Sequence, residues 1–138
     1  MISLSITVGP AARIVRQGLQ NLRTEVPKIG RMRMYEASER IMRKMQKYPP
    51  TRVGQRYRRT YRLRDSWTIR RLEKGNQIVN RAPYANYVVG NAYGTDQAWM
   101  HAGRWPLFRD VADAEIARLP KTIQENIVTV ARRSFGGS

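Results

Sequence analysis

Apolar and polar residues alternate at the start of the chain. Ile2, Leu4, Ile6 and Val8 fall on one side, and Ser3, Ser5 and Thr7 on the other. A period of two marks a half-buried strand, and Gly9-Pro10 ends it. Pro10 also suits the first turn of a helix. Ile14, Val15, Leu19 and Leu22 then follow at helical spacing. Val26-Pro27 is expected to interrupt or kink this helix, because proline removes a donor and crowds the preceding turn. A second helix is predicted from about Pro27 to Lys47, with Met34, Ala37, Ile41, Met45 and Tyr48 as its apolar stripe. The methionines of that stripe read as core filling rather than as ligands.

Tyr48-Pro49-Pro50 stops the helix, and residues 49–60 carry almost no apolar content, which predicts a long basic loop. Leu63 to Leu72 reads as a strand with Leu63, Trp67 and Ile69 on one face. Lys74-Gly75-Asn76 reads as the turn, and Gln77 to Arg81 as the returning arm of a hairpin. The segment Ala82 to Gly90 is aromatic-rich and predicts a short helical turn closed by its glycine. Residues 91–105 hold Gly94, Gly103, Trp99 and Trp105 without a clear period, and read as a second long loop. Pro106 is expected to open the last helix, striped by Leu107, Val111, Ala114 and Leu119. Pro120 should kink or restart it before Ile123, Ile127 and Val130. Asp110, Asp113 and Glu115 near its start and Arg132-Arg133 at its end suit the helix dipole. The Phe135-Gly136-Gly137-Ser138 end reads as a short flexible tail. Together these elements predict one α+β domain over residues 1–138, a small antiparallel sheet with a β-hairpin packed against amphipathic helices.

Composition changes this picture in three ways. A length of 138 residues suits a single core. No stretch approaches the roughly 20 apolar residues that would cross a bilayer, and the alternating start is unlike a secretory leader, so neither membrane nor secretion is expected. The absence of cysteine excludes disulfides and thiolate metal sites and is compatible with a cytoplasm.

The charge says more. The formal net charge is +16, from 26 Lys and Arg against 10 Asp and Glu. Solubility asks for a magnitude of roughly 2–8 on a small domain. The excess points to a polyanionic partner, either nucleic acid or an acidic protein surface. The densest concentration is Arg52, Arg56, Arg58, Arg59, Arg62 and Arg64, interleaved with Tyr57 and Tyr61 and free of acid. Arginine forks bind phosphates and carboxylates in two-point contacts, and tyrosine offers a stacking face beside them. Such a loop could clamp a nucleic-acid backbone or dock into an acidic groove; a solvated loop with no partner is the weakest of the three readings.

Catalytic chemistry finds little support. The single histidine, His101, lacks the partners that a triad or a multi-histidine metal site needs. Either an interface residue or an ordinary loop histidine accounts for it. Asp65 lies among Arg62, Arg64 and Arg70, where charge compensation explains it better than acid catalysis. No glycine-rich phosphate loop is present. No enzyme activity and no cofactor are therefore expected.

Two segments resemble a known family. Thr60-Tyr61-Arg62-Leu63-Arg64-Asp65-Ser66-Trp67-Thr68-Ile69 resembles the TGRLR-x-S-x-x-V strand entry of tail-completion and neck proteins from long-tailed bacteriophages. Asn80 to Gly90 resembles their N-x-x-PYA-x-Y-V-E-F-G-T segment. Tyr61 stands where glycine is usual, and Val89-Gly90-Asn91 replaces the usual acid-aromatic-glycine order. The resemblance implies a virion component without catalytic residues, assembled in the host cytoplasm, that joins head to tail as a homo-oligomeric ring, sixfold favoured. Neighbouring neck and tail proteins would be its partners, with non-specific contact to DNA in the channel. On this reading Arg52, Arg56, Arg58, Arg59, Arg62, Trp99, Met100 and Trp105 form the partner interface. Tyr84 and Tyr87 read equally well as core packing under the hairpin. The alternative function is a basic nucleic-acid-binding module that grips phosphates through the arginine loop.

Overall fold

The structure is a computed structural model that describes residues 10–51, 61–73 and 75–135. The strand expected at 2–8, most of the basic loop and the last three residues lie outside these. The elements are α1 (Pro10–Met45), α2 (Arg62–Asp65), β1 (Trp67–Leu72), β2 (Gly75–Asn80), α3 (Ala85–Val89) and α4 (Phe108–Ser134). Helices with one antiparallel hairpin make this the α+β class that the pattern predicts.

α1 runs through Pro27 and α4 through Pro120, so neither proline ends its helix, and the two helices expected on either side of Pro27 are one. Each removes a single donor, at a cost of about 3 kcal/mol in a helix interior.

The chain divides into two compact units, one spanning Met34–Leu119 and the other joining Met1–Arg33 to Pro120–Ser138. In the second of these, Ile29 is buried and the Phe135 ring lies on Gly18. A Cβ at Gly18 would meet that ring, so a larger residue there would require the Phe135 side chain to move. Arg33 Nε donates to Asn126 Oδ1 at 2.6 Å. Ile14, Val15 and Leu19, read as one helix stripe, are exposed.

The Met34–Leu119 unit holds the main core. Ile41, Met45, Leu63, Trp67, Ala82, Ala85, Val88 and Val89 form one buried cluster. Ala37, Ile41 and Met45 are buried as the stripe predicts. The expected Leu63–Leu72 strand is corrected: Arg62–Asp65 is a helical turn, and β1 begins at Trp67. The cause is local. Tyr61 adopts a left-handed backbone (φ 58) that turns the chain, and the Ser66 hydroxyl donates to the Arg62 carbonyl at 2.6 Å. Leu63 therefore reaches the core from the helical turn and Trp67 from the first position of β1, rather than both from one pleat.

The hairpin register pairs Trp67 with Asn80 and Leu72 with Gly75. Gly75 and Asn76, expected in the turn, are strand residues, and β2 starts two residues before the expected Gln77. Asn80 locks the base of the hairpin: its Nδ2 donates to the Leu63 carbonyl at 2.7 Å, and its Oδ1 accepts from the Ala82 N–H at 2.9 Å. The last helix begins at Phe108, two residues after the proline expected to open it.

Glu115 is the second correction. It is not a dipole partner on the surface but only 1 % exposed. Its Oε2 accepts from Arg40 Nε at 2.9 Å and its Oε1 from Lys44 Nζ, two residues one turn apart on α1. These bonds, Lys44 first and then Arg40, hold the carboxyl below its ordinary pKa against the opposing effect of burial.

Candidate interaction surface

The ends of the basic loop are anchored by aromatic rings. Tyr48 precedes the loop and Tyr61 follows it, and their centroids lie 5.1 Å apart. The Arg64 guanidinium sits over Tyr61 at 4.5 Å, and the Arg64 N–H donates to the Tyr48 hydroxyl at 3.2 Å. Burial raises the pKa of that hydroxyl above its ordinary value. On its other side Tyr48 meets the edge of Trp105 at 4.7 Å. Tilted and edge-on pairs of this kind add about 0.5–1.5 kcal/mol each beyond their buried area.

Trp105 belongs to the 91–105 loop, so the two loops singled out in the sequence share a root. Arg104 strengthens it by donating from Nη2 to the Pro50 carbonyl at 2.9 Å. His101 is half-buried in the same region, edge-on to Trp105 at 6.3 Å.

The 91–105 loop is held by its own polar groups. Asn91 Oδ1 accepts from the Tyr93 and Thr95 N–H groups, and its Nδ2 donates to the Thr95 hydroxyl and to Asp96. Gln97 Nε2 bridges the carbonyls of Val88 and Trp105 at 2.9 and 3.1 Å. The Ala98 N–H donates to the Tyr87 carbonyl at 2.8 Å. Gly90 enters the loop with φ 77, where an added Cβ would lie 2.9 Å from Leu107 Cδ2 and 3.2 Å from the Thr95 carbonyl.

What this scaffold displays is apolar. Tyr93 is 82 % exposed and Trp99 85 %. Met100, Tyr87 and Tyr84 are also exposed, so Tyr84 and Tyr87 are not packed under the hairpin. Trp105 is half-buried at the root, against Tyr48 and the core. Arg62 is exposed at the start of α2. Arg52, Arg56, Arg58 and Arg59 lie outside the described residues.

Sequence reasoning missed the anchoring role of Tyr48, the display of Tyr93 and the clamp made by Gln97. Tyr93 had a readable sign, an aromatic beside glycine in an aperiodic stretch. Gln97 had none, since its partners are main-chain carbonyls, which carry no residue-type signal. Among the described residues no group of three or more acids and histidines is placed to hold a metal. None of the described helices is long and apolar enough to cross a membrane. No family model, curated protein or solved structure matches the chain.

Proposed function

We propose that this chain is a structural component of a bacteriophage neck or tail top, joining head to tail through ring-forming protein contacts and carrying no catalytic site. The observation that carries the reading is the 91–105 loop. Its backbone is fixed by the Asn91 and Gln97 side chains, yet it turns Tyr93, Trp99 and Met100 to solvent. Preorganised aromatics are what interface hot spots are built from, because little freedom is lost when they bind. A second observation supports the family resemblance. Tyr61 has φ 58, a conformation that glycine adopts freely, and it stands where the resembling motif carries glycine. In the virion the neighbours would be copies of this chain and the adjoining neck and tail proteins.

The test is assembly. Trp99→Ala and Tyr93→Ala should keep the melting temperature of the wild type but reduce particle mass and the joining of filled heads to tails in an extract. If both variants join heads and tails at the wild-type rate, the loop is not the contact.

The basic balance supports a second reading, non-specific phosphate binding. Arg62, Arg64, Arg70 and Arg81 are exposed on α2, β1 and the end of the hairpin. A dedicated binder should lose DNA affinity with a log–log salt slope of about −0.9 per phosphate contact. A shallow slope with intact assembly favours the structural role.

A further inference from the structure

The stretch between Arg81 and Arg104 differs in charge from the rest of the chain. It is the longest run without a lysine or arginine in a sequence that carries 26 of them. Its one acid, Asp96, accepts from the Asn91 amide. Two arginines beside it are turned to other groups: Arg104 donates to the Pro50 carbonyl, and Arg109 to Asp113 and the Ala92 carbonyl.

The same stretch gathers apolar side chains on its surface. Tyr84 and Tyr87 lie three residues apart at the start and middle of α3. The Tyr87 carbonyl accepts from the Ala98 N–H at 2.8 Å, which sets Trp99 and Met100 beside that helix. All four side chains are exposed, Trp99 the most, and all belong to the Met34–Leu119 unit. A fully buried aromatic side chain contributes about 150–250 Å². At their exposures the three rings offer roughly 300–450 Å², about half of the roughly 800 Å² that one side of a standard interface covers.

Charge decides the occupant. An acidic protein surface or a nucleic acid gains most where cations face it, and this stretch supplies none. A second copy brings the same charge of +16, so two copies repel each other least where neither presents a cation. We infer that the face of Tyr84, Tyr87, Trp99 and Met100 is a contact between copies of this chain. This rests on the ring reading above, and it assigns the aromatic loop to the neighbouring copy rather than to an adjoining neck or tail protein.

The test is how salt acts on self-association of the purified chain. Salt screens the repulsion between like-charged copies and leaves an apolar contact in place, so the particle mass from light scattering should rise between about 0.05 M and 0.5 M salt. Association that weakens over that range would overturn the inference, because ion pairs would then hold the copies. Trp99→Lys puts a cation on the face at a position 85 % exposed, and it should raise the dissociation constant about 30-fold or more. Leu72→Lys adds the same charge at a 51 % exposed position of the hairpin and should associate like the wild type. Both variants should keep the wild-type melting temperature. Equal loss of association in the two would overturn the inference, since net charge and not this face would set it. Head–tail joining reports on the neck reading separately. If Trp99→Lys associates normally but fails to join heads to tails, the copy contact is overturned and the neck reading stands. If association depends on Trp99 while heads and tails join without the protein, the copy contact stands and the neck reading falls. A wild type monomeric at every concentration and salt would overturn the copy contact.

Discussion

Glu115 offers a direct test of how the core of the larger unit is held. The carboxylate is 1 % exposed, whereas the side chains of its partners Arg40 and Lys44 are 40 % and 48 % exposed. The two sides of the ion pair are therefore unequal. Removing the acid leaves two cations that water can still reach. Removing the cations leaves a buried carboxylate with nothing to offset its desolvation. A hydrogen bond to a charged group contributes about 1.5–3 kcal/mol, and the exposure of both cations puts this site at the lower end. Glu115→Gln should thus destabilise by about 1.5–2 kcal/mol. Arg40→Ala with Lys44→Ala should cost about 3–5 kcal/mol at neutral pH, the usual penalty for an uncompensated buried charge. Glu115→Leu, of similar volume, should lie near wild type or above it. Urea unfolding of the four chains gives the order. The pH dependence follows from the sign of the shift. Glu115 titrates below its ordinary 4.5 in the folded chain. Its contribution is complete above that value and is lost as pH falls through the lower folded value. The gap between wild type and Glu115→Gln should therefore narrow on acidification. A pH-independent gap, or a cation double variant no less stable than Glu115→Gln, would refute the reasoning.

Trp67→Ala should cost about 3–5 kcal/mol in unfolding free energy, because the ring is buried and packs on Phe108 at 5.4 Å. Trp99→Ala should leave the thermal transition in place, and a shifted transition would mean that the loop is part of the core. At position 61, Tyr61→Gly should be about 1 kcal/mol more stable than Tyr61→Ala, since both lose the Tyr48 contact but only alanine keeps the left-handed strain; equal melting curves would deny that strain. Gly90→Ala should destabilise by more than about 1 kcal/mol, with Leu107 and the Thr95 carbonyl in the way of the new Cβ, and circular dichroism melts would show it.

The elements that were legible are those whose signal is periodic. The stripe Ala37, Ile41 and Met45 repeats every four residues on a face that is buried, so spacing alone located it. The hairpin was legible from two short runs with a glycine-bearing stretch between them, although Gly75 and Asn76, read as turn, are strand residues. The errors have different causes. Pro27 was read as a helix boundary from its local cost, yet α1 continues through it, as α4 does through Pro120. Leu63 was assigned to a strand because an i, i+4 pair on a helical turn and an i, i+4 pair on one strand face give the same apolar spacing. Only the backbone at Tyr61 separates the two.

The site divides along the same line. The interface proposed for residues 91–105 was suggested by aromatics in an aperiodic stretch, but which of them are displayed and which are packed was not readable. Trp99 and Trp105 look alike in sequence; one is displayed and the other packs on Tyr48, dozens of residues away. Glu115 shows why charge alone misleads. It falls in register with Phe108 and Val111 on α4, a line that is otherwise apolar, and a carboxylate on such a line needs a cation facing it. Arg40 and Lys44 supply two, one helical turn apart, so the acid and both bases identify each other once the helices are paired. A strongly basic chain has few acids to spend. One of its ten is buried on two cations, none falls among the six arginines of residues 52–64, and Asp65 just after them pairs with Arg64.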